Sequence, residues 1–569
     1  MINIPRHEHP DPQAERAAWL NLNGEWDFEF DFGNSKKESG IIDRKDWETK
    51  IVVPFCPESK LSGIEYTDFI PAVWYRRTVD ITAEQLKGNV LLHFGAVDYE
   101  TTVYINGKKA GYHRGGYASF KFDVTEYLTE GENTIIVNAV DDVRNTLVPR
   151  GKQSEELKSH GCDYTRTTGI WQTVWLEFVP KAYIKSFKLY PDYINGVIAI
   201  SAVVEGDGEF TASASYEGKA MGSFSKKAVS TITGEIKLDE IHLWEVGNGR
   251  LYDLELTFGE DKIKSYFGLR NVKLDDYKFL INGKSVFQRL VLDQGFYPDG
   301  IYTAPSDEAL ENDVKISLAV GFNGARLHQK VFEKRFIYHC DRLGYIVWGE
   351  YGNWGLDWSD ERALEAMLTE WCECVERDFN HPSIIGWCPF NETWDINGRK
   401  QYDSILRTIY RVTKHMDETR PCIDTSGNFH VETDIYDVHD YEQDYHVFKE
   451  NYDKLMTENV LYERFPDRQM YSGKGCAWVS EYGGLQWSRG DRGDAWGYGN
   501  APKTEEELIE RYAGLTDALL DNYRMFGFCY TQLYDIEQEQ NGLYYYDRTP
   551  KFDTEIFRKI NSRKAAIED

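Results

Sequence analysis

The chain has 569 residues, and 65 Lys+Arg stand against 94 Asp+Glu for a formal net charge of −29. At ~100–200 residues per domain this length holds three or four domains. A surface this acidic excludes nucleic acid and anionic membrane as partners and leaves the substrate open.

Residues 1–180 read as all-β. Alternating runs at Glu25–Phe30, Trp74–Val79, Val90–Phe94, Thr102–Ile105, Ala118–Phe122, Thr134–Ala139 and Gln172–Phe178 are separated by turn residues. Asn106-Gly107 between two such runs is a hairpin signal. Many strands with no long helix predict a jelly-roll sandwich. Residues 181–271 stay β, with KAYIKSFKLYP, GVIAISAVVEG, FTASASYEG, STITGEIKL and LYDLELTFG among six or seven strands, the spacing of an immunoglobulin-like sandwich.

Residues 272–569 alternate strands with helices. The strands are Val286–Leu292, Ala325–His328, Tyr345–Glu350, Ser383–Phe390, Cys422–Ser426, Ile435–His439, Ala477–Glu481 and Phe526–Tyr530. Helical patterns fall at Ser306–Ala319, Phe332–Leu343, the stripe Leu364, Met367, Trp371 and Val375, Tyr402–His415, and the capped run from Thr504 through Leu519. Eight strands interleaved with helices predict a (β/α)8 TIM barrel.

Two of these strands end in a glutamate. Ser383–Phe390, closed in front by His381-Pro382, is a mostly apolar run that breaks abruptly into Asn391-Glu392, and GCAWVSEYGG carries Glu481 at the end of the seventh strand. Chemistry in such barrels sits at the carboxyl ends of the strands, so both glutamates face one rim. Two carboxylates across a pocket are the minimum equipment for glycoside hydrolysis. The plain alternative for Asn391-Glu392 alone is a polar pair capping a loop.

Beyond these two glutamates, the sequence resembles glycoside hydrolase family 2, which includes β-galactosidases, β-glucuronidases and β-mannosidases. The resemblance runs through LNGEWDF (Leu22–Phe28), WYRRTV (Trp74–Val79), HFGAVDYETTVYINGKKAG (His93–Gly111), TGIWQTVWL (Thr168–Leu176), HPSIIGWCPFNETW and SEYGG. It implies Glu392 as acid/base and Glu481 as nucleophile of a retaining exo-β-glycosidase. It also implies Asn391, Arg326, His328, Tyr441 and Asp163 as substrate-binding residues, Asp163 being inserted by the first domain. The plain alternatives are an internal ion-pair network for Arg326 and His328, packing for Tyr441, and a turn residue of its own domain for Asp163. Trp394 is a candidate pocket wall, and Lys330 a candidate cation for a sugar carboxylate or a solvated lysine.

The chain departs from the family around the sugar. Arg326-Leu327-His328-Gln329-Lys330 replaces Arg-x-Ser-His-x-Pro, and Tyr530–Gly542 replaces the usual tryptophan of the eighth strand. Asn541-Gly542-Leu543 lacks the lysine of the uronate-binding Asn-x-Lys, and no metal-binding Glu-x-His follows Glu350. β-Galactosidase is therefore the first expectation, β-glucuronidase or β-galacturonidase the second, and a catalytically inactive carbohydrate-binding protein the rival from another class. The nine Cys are scattered and odd in number, which suits reduced thiols. The first twenty residues hold no apolar core of signal-peptide length. The expectation is a cytoplasmic homo-oligomer with a carbohydrate substrate, no cofactor and no metal.

Overall fold

The computed structural model describes residues 4–568, apart from 428, 467, 469–470 and 489–492. Residues up to Val179 form two facing antiparallel sheets. One has six strands in the order Thr49–Val53, Gly24–Phe30, Ala72–Ile81, Gly131–Val140, Glu100–Ile105 and Lys108–Arg114. The other has four, in the order Trp19–Asn21, Val174–Val179, Asn89–Phe94 and Phe120–Asp123. Alternate residues such as Trp26, Phe28, Leu92, Phe94 and Val137 point inward and fill the sandwich. Asn106 and Gly107 turn the expected hairpin with φ of 50° and 78°, the left-handed pair that a two-residue hairpin turn requires.

The middle domain has fewer and longer strands than the sequence suggests. Val197–Tyr216 and Lys219–Lys237 are each continuous, and they join Tyr183–Asp192, Tyr252–Phe258 and Asp261–Phe267 in one sheet. Gly206-Asp207-Gly208 reads as a turn, yet the pairing slips there between Val203 and Asp207 and the strand carries on. A bulge bends a strand without ending it.

The third domain is the expected barrel. A parallel sheet runs Ile384–Cys388, Ile346–Glu350, Gly324–Leu327, Gln288–Asp293, Met525–Thr531, Cys476–Gly483 and Ile435–Asp440. The fifth strand position is filled by the segment reaching Thr425–Ser426, which pairs in parallel with Phe390–Asn391 and bridges Trp387 through Cys422. Helices Asp307–Ala319, Lys334–Leu343, Arg362–Asp378, Asp403–Met416, Tyr445–Thr457, Glu505–Leu520 and Thr554–Asn561 surround it. Ser306 and Thr504 cap the first and sixth of these through their hydroxyls.

One end of the barrel is closed by rings. Trp348 stacks on Trp478, Trp478 on Phe526, and Phe279 from a small three-stranded sheet seals against Trp348 and Phe526. Gly386 is what lets Trp348 in, because a Cβ there would lie 2.2 Å from the indole. The plug leaves the opposite end, where the strands finish, for chemistry. Among the described residues no helix is long and apolar enough to cross a membrane.

Candidate active site

Arg326, at the end of the second barrel strand, is the hub. It is 1% exposed, and its guanidinium donates to Glu350 Oε2 at 2.6 Å, Asn391 Oδ1 at 2.9 Å, Glu481 Oε1 at 3.0 Å and the Ser480 carbonyl at 2.9 Å. Glu350, ending the third strand, also lies 2.9 Å from His328 Nδ1 and accepts from the Gln329 amide. Burial would push the Glu350 carboxyl up, but Arg326 and His328 overcome it and hold it at about 2. Arg326 and His328 thus form the ion-pair network and touch the candidate catalytic group as well.

Glu481 is fixed through both oxygens. Besides Arg326 on Oε1, the Tyr441 hydroxyl donates to Oε2 at 2.6 Å. Burial opposes its charge, but His439, Arg326, His328 and Tyr441 bring the carboxyl down to about 2, so it is ionised at any ordinary pH. Tyr441 is held by a stack on Tyr498, 3.4 Å between centroids.

Glu392 follows its strand with φ 47°, a left-handed conformation uncommon outside glycine. That turn aims its carboxylate at His439, whose Nδ1 lies 2.7 Å from Glu392 Oε1. The other ring nitrogen lies 3.4 Å from Glu481 Oε1. One imidazole therefore spans both glutamates, and a carboxylate oxygen from each lies within 4.8 Å of the other. Burial disfavours the imidazolium, yet Glu481 and Glu392 outweigh it and raise the His439 pKa.

Asn391 accepts from Arg326 and is locked by Asn353, which accepts its amide N–H at 2.8 Å. Its Nδ2 is buried with no hydrogen-bond partner among the described residues, a donor available for a sugar hydroxyl. Trp394 lies at the mouth, 41% exposed, edge-on to Phe429 and Phe465.

Asp163 is a turn residue, paired by its backbone with His160 and ion-paired with Arg150 of its own domain. Its loop nevertheless reaches the barrel. Gln538 donates to the Gly161 and Asp163 carbonyls, and Tyr164 hydrogen-bonds Glu539 in the loop after the eighth strand. Lys330 is corrected by its position. It is 3% exposed, its ammonium donates to the Gly295 and Tyr302 carbonyls, and it sits over Trp171, Tyr302 and Phe332. It is neither solvated nor grouped with the two glutamates.

Among the described residues two trios have the spacing of cation ligands: Glu155–His160–Asp163 and Glu392–His439–Glu481. Arg150 already bridges both carboxylates of the first trio, and Arg326 holds the shared Glu481 oxygen in the second. Sequence reasoning missed His439, Glu350, Asn353, Lys152 and Glu539. Glu350 ends its strand, which was its one readable signal.

Family models match residues 60–180 as the glycosyl hydrolases family 2 sugar-binding domain and 182–270 as glycosyl hydrolases family 2. The family 2 TIM barrel domain matches residues 272–564, over half of the chain. The chain belongs to glycoside hydrolase family 2. The chain is 28% identical over 370 residues to the β-galactosidase of Thermoanaerobacter pseudethanolicus, a match over 61% of this chain and 48% of that one. It is 24% identical over 455 residues to the β-glucuronidase of Rattus norvegicus, over 70% of this chain and 67% of that one. The chain thus spans about half the length of some curated relatives and two thirds of others. A solved β-glucuronidase of an uncultured Clostridium superposes with a TM-score of 0.80 at 20% identity, over 96% of this chain and 98% of the other. At that identity the likeness speaks for the fold.

Proposed function

We propose that this protein is a retaining exo-β-glycosidase in which Glu481 is the nucleophile and Glu392 the acid/base. The observation that carries the reading is the pair of carboxylates at two strand ends, with oxygens within 4.8 Å and one imidazole between them. Retaining enzymes hold their carboxyls ~5–5.5 Å apart, whereas inverting ones need ~6.5–9.5 Å to admit a water.

In the first step Glu481 attacks the anomeric carbon, the bond to the leaving oxygen breaks, and Glu392 gives that oxygen its proton. In the second step ionised Glu392 takes a proton from water, which attacks the same carbon and releases Glu481. The low pKa of Glu481 keeps it ionised for attack. Asn391 Nδ2 is positioned to donate to a ring hydroxyl.

The curated relatives are called β-galactosidase and β-glucuronidase, and structural neighbours β-glucuronidase. A β-glucuronide is therefore at least level with the β-galactoside favoured by the sequence. A pure carbohydrate binder has no use for both glutamates in this geometry. Turnover of a panel of aryl β-glycosides tests the reading, with NMR expected to show a β-configured first product. Glu481→Gln should remove turnover by several powers of ten. Activity within tenfold of wild type, ~1.4 kcal/mol of barrier, would take Glu481 out of the role.

A further inference from the structure

The loop of the first domain that lies against the barrel carries Lys152, whose ammonium has no hydrogen bond or ion pair among the described residues. Lys152 is 5% exposed, and its Nζ sits 3.9 Å over the Trp354 ring. Trp354 in turn donates its indole N–H to the Asn391 carbonyl, one residue from Glu392. The backbone around Lys152 is fixed: Arg150 donates to the Trp354 carbonyl, and the Lys152 carbonyl accepts from Tyr164. Gly151 has φ 55°, and a Cβ there would lie 2.3 Å from the Gln329 carbonyl, so the loop is seated against the barrel.

Among the described residues the Lys152 ammonium has no hydrogen bond or ion pair. The carboxylates near it are committed elsewhere: Asp163 to Arg150, Glu481 to Arg326 and Tyr441, and Glu539 to Tyr164 and Asn541. Other cations of the barrel are equally committed: Arg326 to Glu350 and Glu481, Arg548 to Asp313, and Lys551 to Asp535. The loop Tyr530–Gly542 contributes no lysine or arginine. The Lys152 donors are free, and a ligand that places an anionic oxygen against them gains a charge-assisted hydrogen bond on binding. Burial disfavours the Lys152 charge, but Cys162, Glu539, Asp163 and Glu481 outweigh it and raise its pKa.

We propose that Lys152 binds an anionic group on the terminal sugar, so that the substrates of this enzyme are β-linked uronides and the first domain selects them. This rests on the glycosidase reading above. Sugar hydroxyls could fill its donors, but only an ionised group also cancels its charge. A single charge-assisted contact is worth about 10- to 100-fold.

The test measures kcat/KM for aryl β-D-glucuronide and β-D-galacturonide against aryl β-D-glucoside and β-D-galactoside, in wild type, Lys152→Gln and Lys152→Arg. The expected result is a uronide preference in wild type, a uronide-to-neutral ratio that falls about 10- to 100-fold in Lys152→Gln, and partial recovery in Lys152→Arg. Wild-type preference for neutral sugars, or an unchanged ratio in Lys152→Gln, overturns the proposal and leaves the glycosidase reading standing. Calorimetric titration of wild type with D-glucuronate, D-galacturonate, D-glucose and D-galactose needs neither turnover nor a folded variant. Tighter binding of either uronate than of its neutral counterpart supports the proposal, and equal binding overturns it. Absence of turnover on all four aryl glycosides would instead strike the glycosidase reading.

Discussion

Glu392 and Glu481 share one imidazole but not one set of partners, so their contributions can be separated. Arg326 and Tyr441 grip Glu481 from two sides, while Glu392 touches His439 and turns outward. Glu392→Ala should slow substrates with poor leaving groups severely in the first step and activated aryl groups little, and azide should rescue it as a β-glycosyl azide. Equal slowing of both classes with no azide product would remove Glu392 from the acid/base role. His439 allows a test by pH. Its pKa is raised on folding, so it stabilises the fold fully below ~6.5, the unfolded value, and that contribution is lost as pH rises through the folded value. The Tm of wild type should therefore fall relative to His439→Asn as pH rises from ~6.5 through the folded value. A constant difference would show that the ring is not the shared cation. His439→Asn should also lower kcat about 100-fold if the ring positions the carboxylates, since small misplacements cost that much. Of this site, the two glutamates were readable because each interrupts an apolar strand at its end. His439 was not, because nothing in Asp437-Val438-His439 tells which strand its ring will cross to.

At the scale of elements, the eight barrel strands were legible because buried parallel strands are apolar runs with abrupt ends. Helix Tyr445–Thr457 went unread although Asp444 caps it through the His446 and Val447 amides. Its buried face is Phe448, Tyr452 and Leu455, with polar residues between them that dilute the pattern. Among the described residues no helix separates the fifth strand, ending at Ser426, from the sixth, starting at Ile435. The loop around Gly151 is where local conformation and site meet. Gly151→Ala must place a Cβ at positive φ and against the Gln329 carbonyl, which costs ~1–3 kcal/mol for the backbone alone. The expected outcome is a lower Tm together with a lower kcat/KM, read by calorimetry and by the aryl-glycoside assay. Full activity at unchanged Tm would mean the loop yields without disturbing the pocket.

At the scale of the molecule, the domains do not keep separate interiors. Tyr117, Ala118, Tyr164 and Trp171 of the first domain and Trp244 of the second lie in the same apolar cluster as the barrel. Glu370 of the barrel accepts the Tyr117 and Ala118 amides and the Tyr351 hydroxyl. Removing residues 1–180 should therefore leave the barrel without activity and with an exposed apolar face. A soluble, fully active fragment would count against this. The shared interior was beyond the reach of the sequence, because each of these residues fits the alternation of its own strand or loop and none shows which neighbour it will meet.

The contact between Tyr164 and Glu539 joins positions 375 residues apart. A ribosome adding ~5–20 residues per second needs roughly 20–75 s to make that interval. Over that time the nascent chain carries a finished wall for a pocket whose facing wall has yet to be translated. Its Lys152 loop stays open to water until the chain has been made through Glu539.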